Sequence, residues 1–196
     1  MPDPFMVAAI TSMIAGLASY KPVTIKKIGS EKQAWLDSSI PFIKEVCEQY
    51  EIPYQVCVAQ AALESGWGQY AYGNNLFGMK GKGDAGSNGA YAKYSSQSKS
   101  IEEYCSAIRK NQFWSWIIPE YTFSPQRYAI ALWGSSYAPG KNYVPMIFSV
   151  IGTIYRSTGN PEFNLSLSAE DKKLISKISQ VDMGSERRAL TKKVMK

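Results

Sequence analysis

The 196-residue sequence contains no histidine and only three cysteines. The first absence removes any Ser-His or Cys-His nucleophile pair and any His-ligated metal centre. Cys47, Cys57 and Cys105 cannot all pair within one chain, and their spacing matches no zinc or redox motif. They read as small buried hydrophobes, and no metal or cofactor is expected. Also lacking is an apolar run of the roughly 20 residues a bilayer span needs. Residues 5–17 are apolar but fewer, and Asp3 stands where a secretory leader would carry basic residues. Neither a transmembrane span nor a Sec signal peptide is expected there, but rather a helix that packs on its own domain or on a partner. Chemistry is left to carboxylates, hydroxyls and amides.

Charge is present but unevenly placed. Of 22 Lys+Arg and 16 Asp+Glu, residues 172–196 hold eight and two, leaving 14 and 14 in the rest of the chain. The formal +6 therefore lies wholly in the last segment, and a neutral body with a basic end gives no motif for a specific nucleic-acid partner. A hydrophobic content of 45% suits one domain with a real core. The expected division is an apolar N-terminal helix and linker over 1–29, a catalytic-type domain over 30–160, and a basic helical tail over 161–196.

The sequence is organised around residues 59–68, Ala-Gln-Ala-Ala-Leu-Glu-Ser-Gly-Trp-Gly, where an apolar helical run delivers Glu64 into a glycine-rich break. Gly66 and Gly68 remove helix propensity, so Glu64 belongs at the last turn of a helix from Tyr54 to about Ser65. A carboxyl held against apolar side chains has its charged form desolvated, which raises its pKa toward the range of a general acid. The alternative is an ordinary solvated glutamate at a helix end.

Around this stretch, Ser30 is a plausible cap for a short helix, and Ser39 for a second that opens with Ile40 and Pro41. Leu76–Met79 and Ala90–Tyr94 read as two short strands flanking a flexible turn, a small lobe facing the helical body with a cleft between. Ser98 or Ser100 caps the next helix, with Glu102 and Glu103 in its first turn. The aromatic cluster at 111–116 either packs in the core or lends one or two rings to a sugar-binding cleft. Ser124-Pro125 opens a helix to Trp133, Val144–Tyr155 forms another, and Ser168 with Asp171 caps a last one over Ala169–Val181.

Residues 59–68 together with Asn75-Leu76-Phe77-Gly78-Met79-Lys80 resemble glycoside hydrolase family 73, the endo-β-N-acetylglucosaminidases of bacterial cell walls. Tyr94 to Tyr104 resembles that family's segment after the hairpin, and Tyr137-Ala138 to Tyr143 its Tyr-Ala-Thr-Asp loop. The likeness spans about residues 39 to 155, in order. It implies an α+β, mostly helical, lysozyme-like body with a small β-hairpin lobe, and cleavage of peptidoglycan glycan strands. By position it implies Glu64 as general acid, Tyr137 as a cleft residue near the reacting sugar, and Trp67, Asn75, Phe77, Tyr94 and Tyr143 as substrate-binding residues. The family often carries a second carboxylate in the lobe. Here the hairpin is short, and between Lys80 and Tyr94 Asp84 is the one acid, so either Asp84 holds the water or no second protein carboxylate is needed. Pro139-Gly140 also replaces the family's Thr-Asp. Hydrolysis is preferred over lytic transglycosylation with the same Glu64. A second reading makes the chain a structural or docking component of a wall-penetrating assembly, such as a phage tail, held through residues 1–29 and 168–196. Both readings place it in the cell wall or periplasm, carried by a virion or a dedicated export machine.

Overall fold

A computed structural model describes residues 28–118 and 120–195. The apolar helix expected over residues 5–17 lies outside these. Helix α1 runs unbroken over Ser30–Gln49, with Pro41 inside it. The break expected at Ser39 is thus absent, and the reason is packing. Leu36, Ser39, Ile43, Val46 and Cys47 form one buried stripe at helical spacing that continues through the proline. An interior proline costs about 3 kcal/mol. Burying each large apolar side chain contributes roughly 1.5–3 kcal/mol, so Leu36, Ile43 and Val46 together outweigh it.

Ile52-Pro53 turns the chain into α2, Tyr54–Glu64, which is buried on nearly every side from Tyr54 to Ala62 and is the central helix of the body. It ends as expected. Ser65 is its C-cap, donating from Oγ to Ala61 O, and Gly66, Trp67 and Gly68 all follow with positive φ.

The lobe is smaller than expected. Strands β1, Ser87–Asn88, and β2, Tyr91–Ala92, pair antiparallel, with Asn88 opposite Tyr91. Leu76–Met79 is no strand. Asn75 accepts from Met79 N with its side-chain oxygen and donates to Met79 O and Ala92 O, so a side chain takes the place of ladder bonds and curls the segment. An isolated bridge between Lys80 and Tyr91 then adds a third edge.

Helix α3, Gln97–Lys110, is capped by Ser96 rather than Ser98 or Ser100. Ser100 is buried and accepts from Leu76 N at 3.1 Å, tethering the lobe to α3. Glu102 and Glu103 fall beyond the first turn and pair with Lys99 instead. Helix α4, Pro125–Gly134, starts at its Ser124 cap as expected, and α5 spans Tyr143–Thr158 to a left-handed Gly159. Helix α6, Ala169–Ile178, carries the Ser168/Asp171 capping box, and α7 follows over Ser185–Met195.

The last two helices are part of the body. Ile175, Ile178 and Met195 join the same core cluster as Leu36 and Ile151, so the boundary expected at 161 does not separate two cores. Arg187 of α7 lies 3.9 Å over the Trp133 ring of α4, and Gly134 leaves no room for a Cβ beside Thr191. No helix of the described residues is long and apolar enough to cross a membrane.

Candidate active site

Two cavities of about 420 and 620 Å³ meet at Glu64. Both are also lined by Gly78 and Lys80 of the lobe. The smaller is walled by Tyr70, Tyr72, Asn75 and Tyr91, and the larger by Phe77, Tyr104, Trp114 and Tyr137. Glu64 therefore stands at the waist of a cleft with room on both sides. Its carboxyl opens on the cleft while protein atoms crowd it from beneath. Desolvation pushes its pKa above the ordinary carboxylate range, and a hydrogen bond from Tyr143 pulls part of the way back.

The environment of Glu64 is built from tyrosines. Tyr143 is buried, and Gln60 Nε2 donates to its hydroxyl at 3.0 Å. Gln60 Oε1 in turn accepts from Tyr104 at 2.6 Å. Tyr104 stacks on Phe77, with centroids 4.0 Å apart, and meets Tyr137 edge-on at 6.2 Å. Tyr137 also packs against Trp114 and Tyr143. Burial raises the pKa of Tyr104 and Tyr137 well above that of a free phenol, so both stay neutral.

Of the residues singled out from sequence, Glu64, Asn75, Phe77 and Tyr137 line the cleft, and Tyr143 packs against Tyr137 behind it. Asn75 spends its amide on the lobe backbone. Trp67 turns away, edge-on to Trp35 with Lys32 over its face. Tyr94 is buried inside the lobe, its hydroxyl against Met79 Sδ at 3.5 Å. Asp84 is exposed and accepts from the Ser95 amide and hydroxyl, bonds that pull its pKa down and hold it ionised. It lines neither cavity, and Glu64 is the one carboxylate among the described residues that line them.

Gln60 and Tyr104 were not singled out from sequence, nor were Tyr70, Tyr72 and Tyr91. Gln60 did leave a signal, as the lone polar residue of an apolar run one turn before Glu64. Of the 111–116 aromatic cluster, Trp114 lines the cleft, while Trp116 packs on Tyr121.

Among the described residues, the three cysteines are the group that could hold a metal, with sulfurs within 4.8 Å of one another. All three are buried, and burial raises the pKa of the Cys47 and Cys57 thiols, which keeps their protons on. They pack where α1, α2 and α3 meet and line neither cavity beside Glu64.

The family model for glucosaminidase, described as mannosyl-glycoprotein endo-beta-N-acetylglucosaminidase, matches residues 40–156. The chain belongs to the glucosaminidase family. This family of glycoside hydrolases thus covers the stretch from α1 through α5, including both walls of the cleft. Among curated proteins, the exo-glucosaminidase LytG of Bacillus subtilis (strain 168) is 28% identical over 176 residues, covering 77% of this chain. The chain spans 62% of the length of that relative. Two solved structures share the fold. The catalytic domain of the autolysin Auto from Listeria monocytogenes has a TM-score of 0.56 at 21% identity, over 76% of this chain and 95% of that one. An N-acetylmuramoyl-L-alanine amidase structure from Staphylococcus aureus has a TM-score of 0.57 at 20% identity, over 74% of this chain and 47% of that one. The lysozyme-like architecture expected for a glucosaminidase is the one observed.

Proposed function

We propose that the chain hydrolyses the β-1,4 glycan strand of peptidoglycan as an endo-β-N-acetylglucosaminidase, with Glu64 as general acid. The observation that carries this reading is the position of Glu64. It is a partly desolvated carboxyl at the waist of a two-sided cleft within the family match. Room on both sides suits an internal bond of a strand. Aromatic walls suit the apolar faces of sugar rings.

In this reading Glu64 gives its proton to the glycosidic oxygen as the C1–O bond breaks and positive charge develops on the sugar. The cleft lining offers no second carboxylate, so the substrate's own acetamido oxygen attacks C1, and Glu64, now ionised, takes a proton from the water that opens the resulting ring. Tyr137, kept neutral, serves as a hydrogen-bonding wall near the reacting sugar rather than as a base.

Purified cell walls test this directly. Glu64→Gln should abolish clearing while the far-ultraviolet circular dichroism stays native, and clearing at the wild-type rate would sink the proposal. Fragments should carry reducing N-acetylglucosamine ends. Anhydro-muramic ends would instead assign a lytic transglycosylase using the same Glu64. Asp84→Asn should stay within about threefold of the wild-type rate, because a missing general base costs 10²-fold or more.

Action in the cell wall or periplasm follows from such a substrate. Membership of a wall-penetrating machine such as a phage tail is supported by the character of residues 1–29 and the basic charge of 172–196. If the chain were a docking component alone, Glu64→Gln would leave assembly and wall penetration unchanged.

A further inference from the structure

Just as Glu64 is the one carboxylate among the described residues that line the two cavities, Lys80 is the one cation among them. It lines both, so it stands at the same waist as the acid, on the lobe side. Its backbone is clamped from three directions. Met79 is held by the Asn75 side chain and accepts from Ala92 N at 2.9 Å, Gly81 N donates to Ala90 O at 2.9 Å, and Lys80 itself bridges to Tyr91. The side chain is exposed, and among the described residues no carboxylate forms an ion pair with it. Asp84, the acid nearest in sequence, is taken up by Ser95. An exposed lysine needs no partner in water. What separates Lys80 from Lys82 and Lys93 of the same lobe is that those two line neither cavity. The lobe also carries an excess of positive charge, with three lysines against Asp84 alone over residues 75–94, whereas residues 1–171 as a whole are neutral. Such a local field draws an anionic substrate toward the cleft.

A glycan of N-acetylglucosamine alone is uncharged and would give this cation nothing to meet. In peptidoglycan every second sugar is N-acetylmuramic acid, whose lactyl group either ends in a free carboxylate or carries a peptide with carboxylates of its own. Because the sugars alternate, an N-acetylglucosamine whose bond is cut has a muramic acid on each side. A cation at the waist therefore meets a carboxylate-bearing sugar from either cavity. We propose that Lys80 is a specificity-determining residue that binds a carboxylate carried by the muramic acid beside the scissile bond, and so selects peptidoglycan strands over uncharged glycans. A lysine suits this task, since a point charge on a flexible stem can follow a carboxylate whose position varies with the substituent. The clamped backbone keeps that stem rooted at the waist.

This inference rests on the reading of the cleft as a peptidoglycan site, and binding is measured beside turnover so that the two can fail separately. Soluble strands from purified walls are prepared with stem peptides and, by amidase treatment, without them, which frees the lactyl carboxylates. A portion of each is neutralised by converting its carboxylates to amides with carbodiimide and ammonia. Lys80→Gln should raise KM on charged strands about fivefold, the scale of a good exposed ion pair, with kcat within about twofold. Amidating the strands should raise the wild-type KM by the same factor and leave that of Lys80→Gln where it was, because both changes remove one interaction. Lys80→Arg should retain most of the wild-type preference, Lys82→Gln should retain all of it, and the preference should shrink as salt rises from about 0.05 to 0.5 M. A penalty confined to peptide-bearing strands assigns the carboxylate to the stem, and one confined to stripped strands assigns it to the lactyl group. Equal penalties for Lys80→Gln on charged and amidated strands, a fall in kcat alone, or an equal effect of Lys82→Gln would overturn the proposal. The same comparison by equilibrium binding is made in the Glu64→Gln background. If Glu64→Gln stays active, the general-acid reading falls while the preference for charged strands remains measurable. If it is inactive and Lys80→Gln does not change the binding of charged strands, carboxylate recognition falls alone.

Discussion

The turn after Glu64 contains two glycines with positive φ whose replacement should have unequal consequences. Gly66 has φ of 59° and Gly68 of 84°. The first lies in the ordinary left-handed region and the second beyond it, so alanine is strained at both sites and more so at 68. A Cβ on Gly66 would meet the Tyr70 ring at 2.6 Å, but Tyr70 is 57% exposed and can swing into solvent. A Cβ on Gly68 would come within 2.3 Å of the Trp35 ring, which is held edge-on by Trp67 and packed on the core. Gly66→Ala should therefore cost about 1 kcal/mol, the left-handed penalty alone. Gly68→Ala should cost about 3 kcal/mol, the backbone penalty plus overpacking of a fixed ring. At about 2–4 °C per kcal/mol for a chain of this size, scanning calorimetry should show Tm losses of about 3 and 9 °C. Equal losses, or the larger loss in Gly66→Ala, would mean that Trp35 yields as freely as Tyr70 and that this packing does not fix the turn. A double variant that also trims the ring, Gly68→Ala with Trp35→Leu, should recover part of the loss relative to Trp35→Leu alone.

Three further outcomes follow from the charges. Burial raises the Glu64 pKa in the folded state, so the ionised form opposes folding once pH exceeds its unfolded value. Glu64→Gln should stabilise the protein at neutral pH in urea titrations, with the gain fading as pH falls below that value. Glu162 behaves oppositely: Lys44 and Tyr54 donate to it and lower its pKa, so its contribution is present above the unfolded pKa and lost as pH falls through the folded one. Glu162→Gln should flatten the acid limb of stability measured from pH 7 to 3. Arg187 is buried with Nε and Nη2 unpartnered among the described residues, and desolvation lowers its pKa. Its stacking on Trp133 contributes about 2 kcal/mol, against about 1–3 kcal/mol for leaving buried donors unpaired. Arg187→Met should thus change stability by less than about 1 kcal/mol in equilibrium denaturation. A loss above about 3 kcal/mol would instead mean that the guanidinium is fully satisfied.

Much of the helical body was legible because its signals are local. Ser124-Pro125, the Ser168/Asp171 pair and the Gly66 to Gly68 break each fix a helix end through their own backbone chemistry. Three elements were not legible, and in each a distant partner decides. Pro41 stays helical because the stripe from Leu36 to Cys47 is held by α2 and α3. Leu76–Met79 curls because Asn75 bonds across to Ala92. Helix α7 is polar by sequence, yet Arg187, Thr191 and Met195 are buried on α4 and its surroundings.

The site divides along the same line. A sequence motif collects residues that must not change, whatever they do. Glu64, Phe77 and Tyr137 face the cleft, Gly68 and Tyr94 shape the backbone that holds it open, and Asn75 does both. Trp67 shows how the two are confused. It follows the acid by three residues, but its φ of 63° swings the ring toward Trp35 and away from the carboxyl. Gln60 shows the reverse error. A polar residue inside an apolar face reads as an interruption of helical periodicity, and its meaning depends on Tyr104 and Tyr143, which lie 44 and 83 residues downstream. A buried amide is tolerated only where both ends are paired, so a lone glutamine one turn from a proposed acid is itself a sequence-level reason to look for two hydroxyls. In this chain the tyrosines that answer it come from α3 and α5, one turn of α2 before the carboxyl that the glycine turn sets into the cleft.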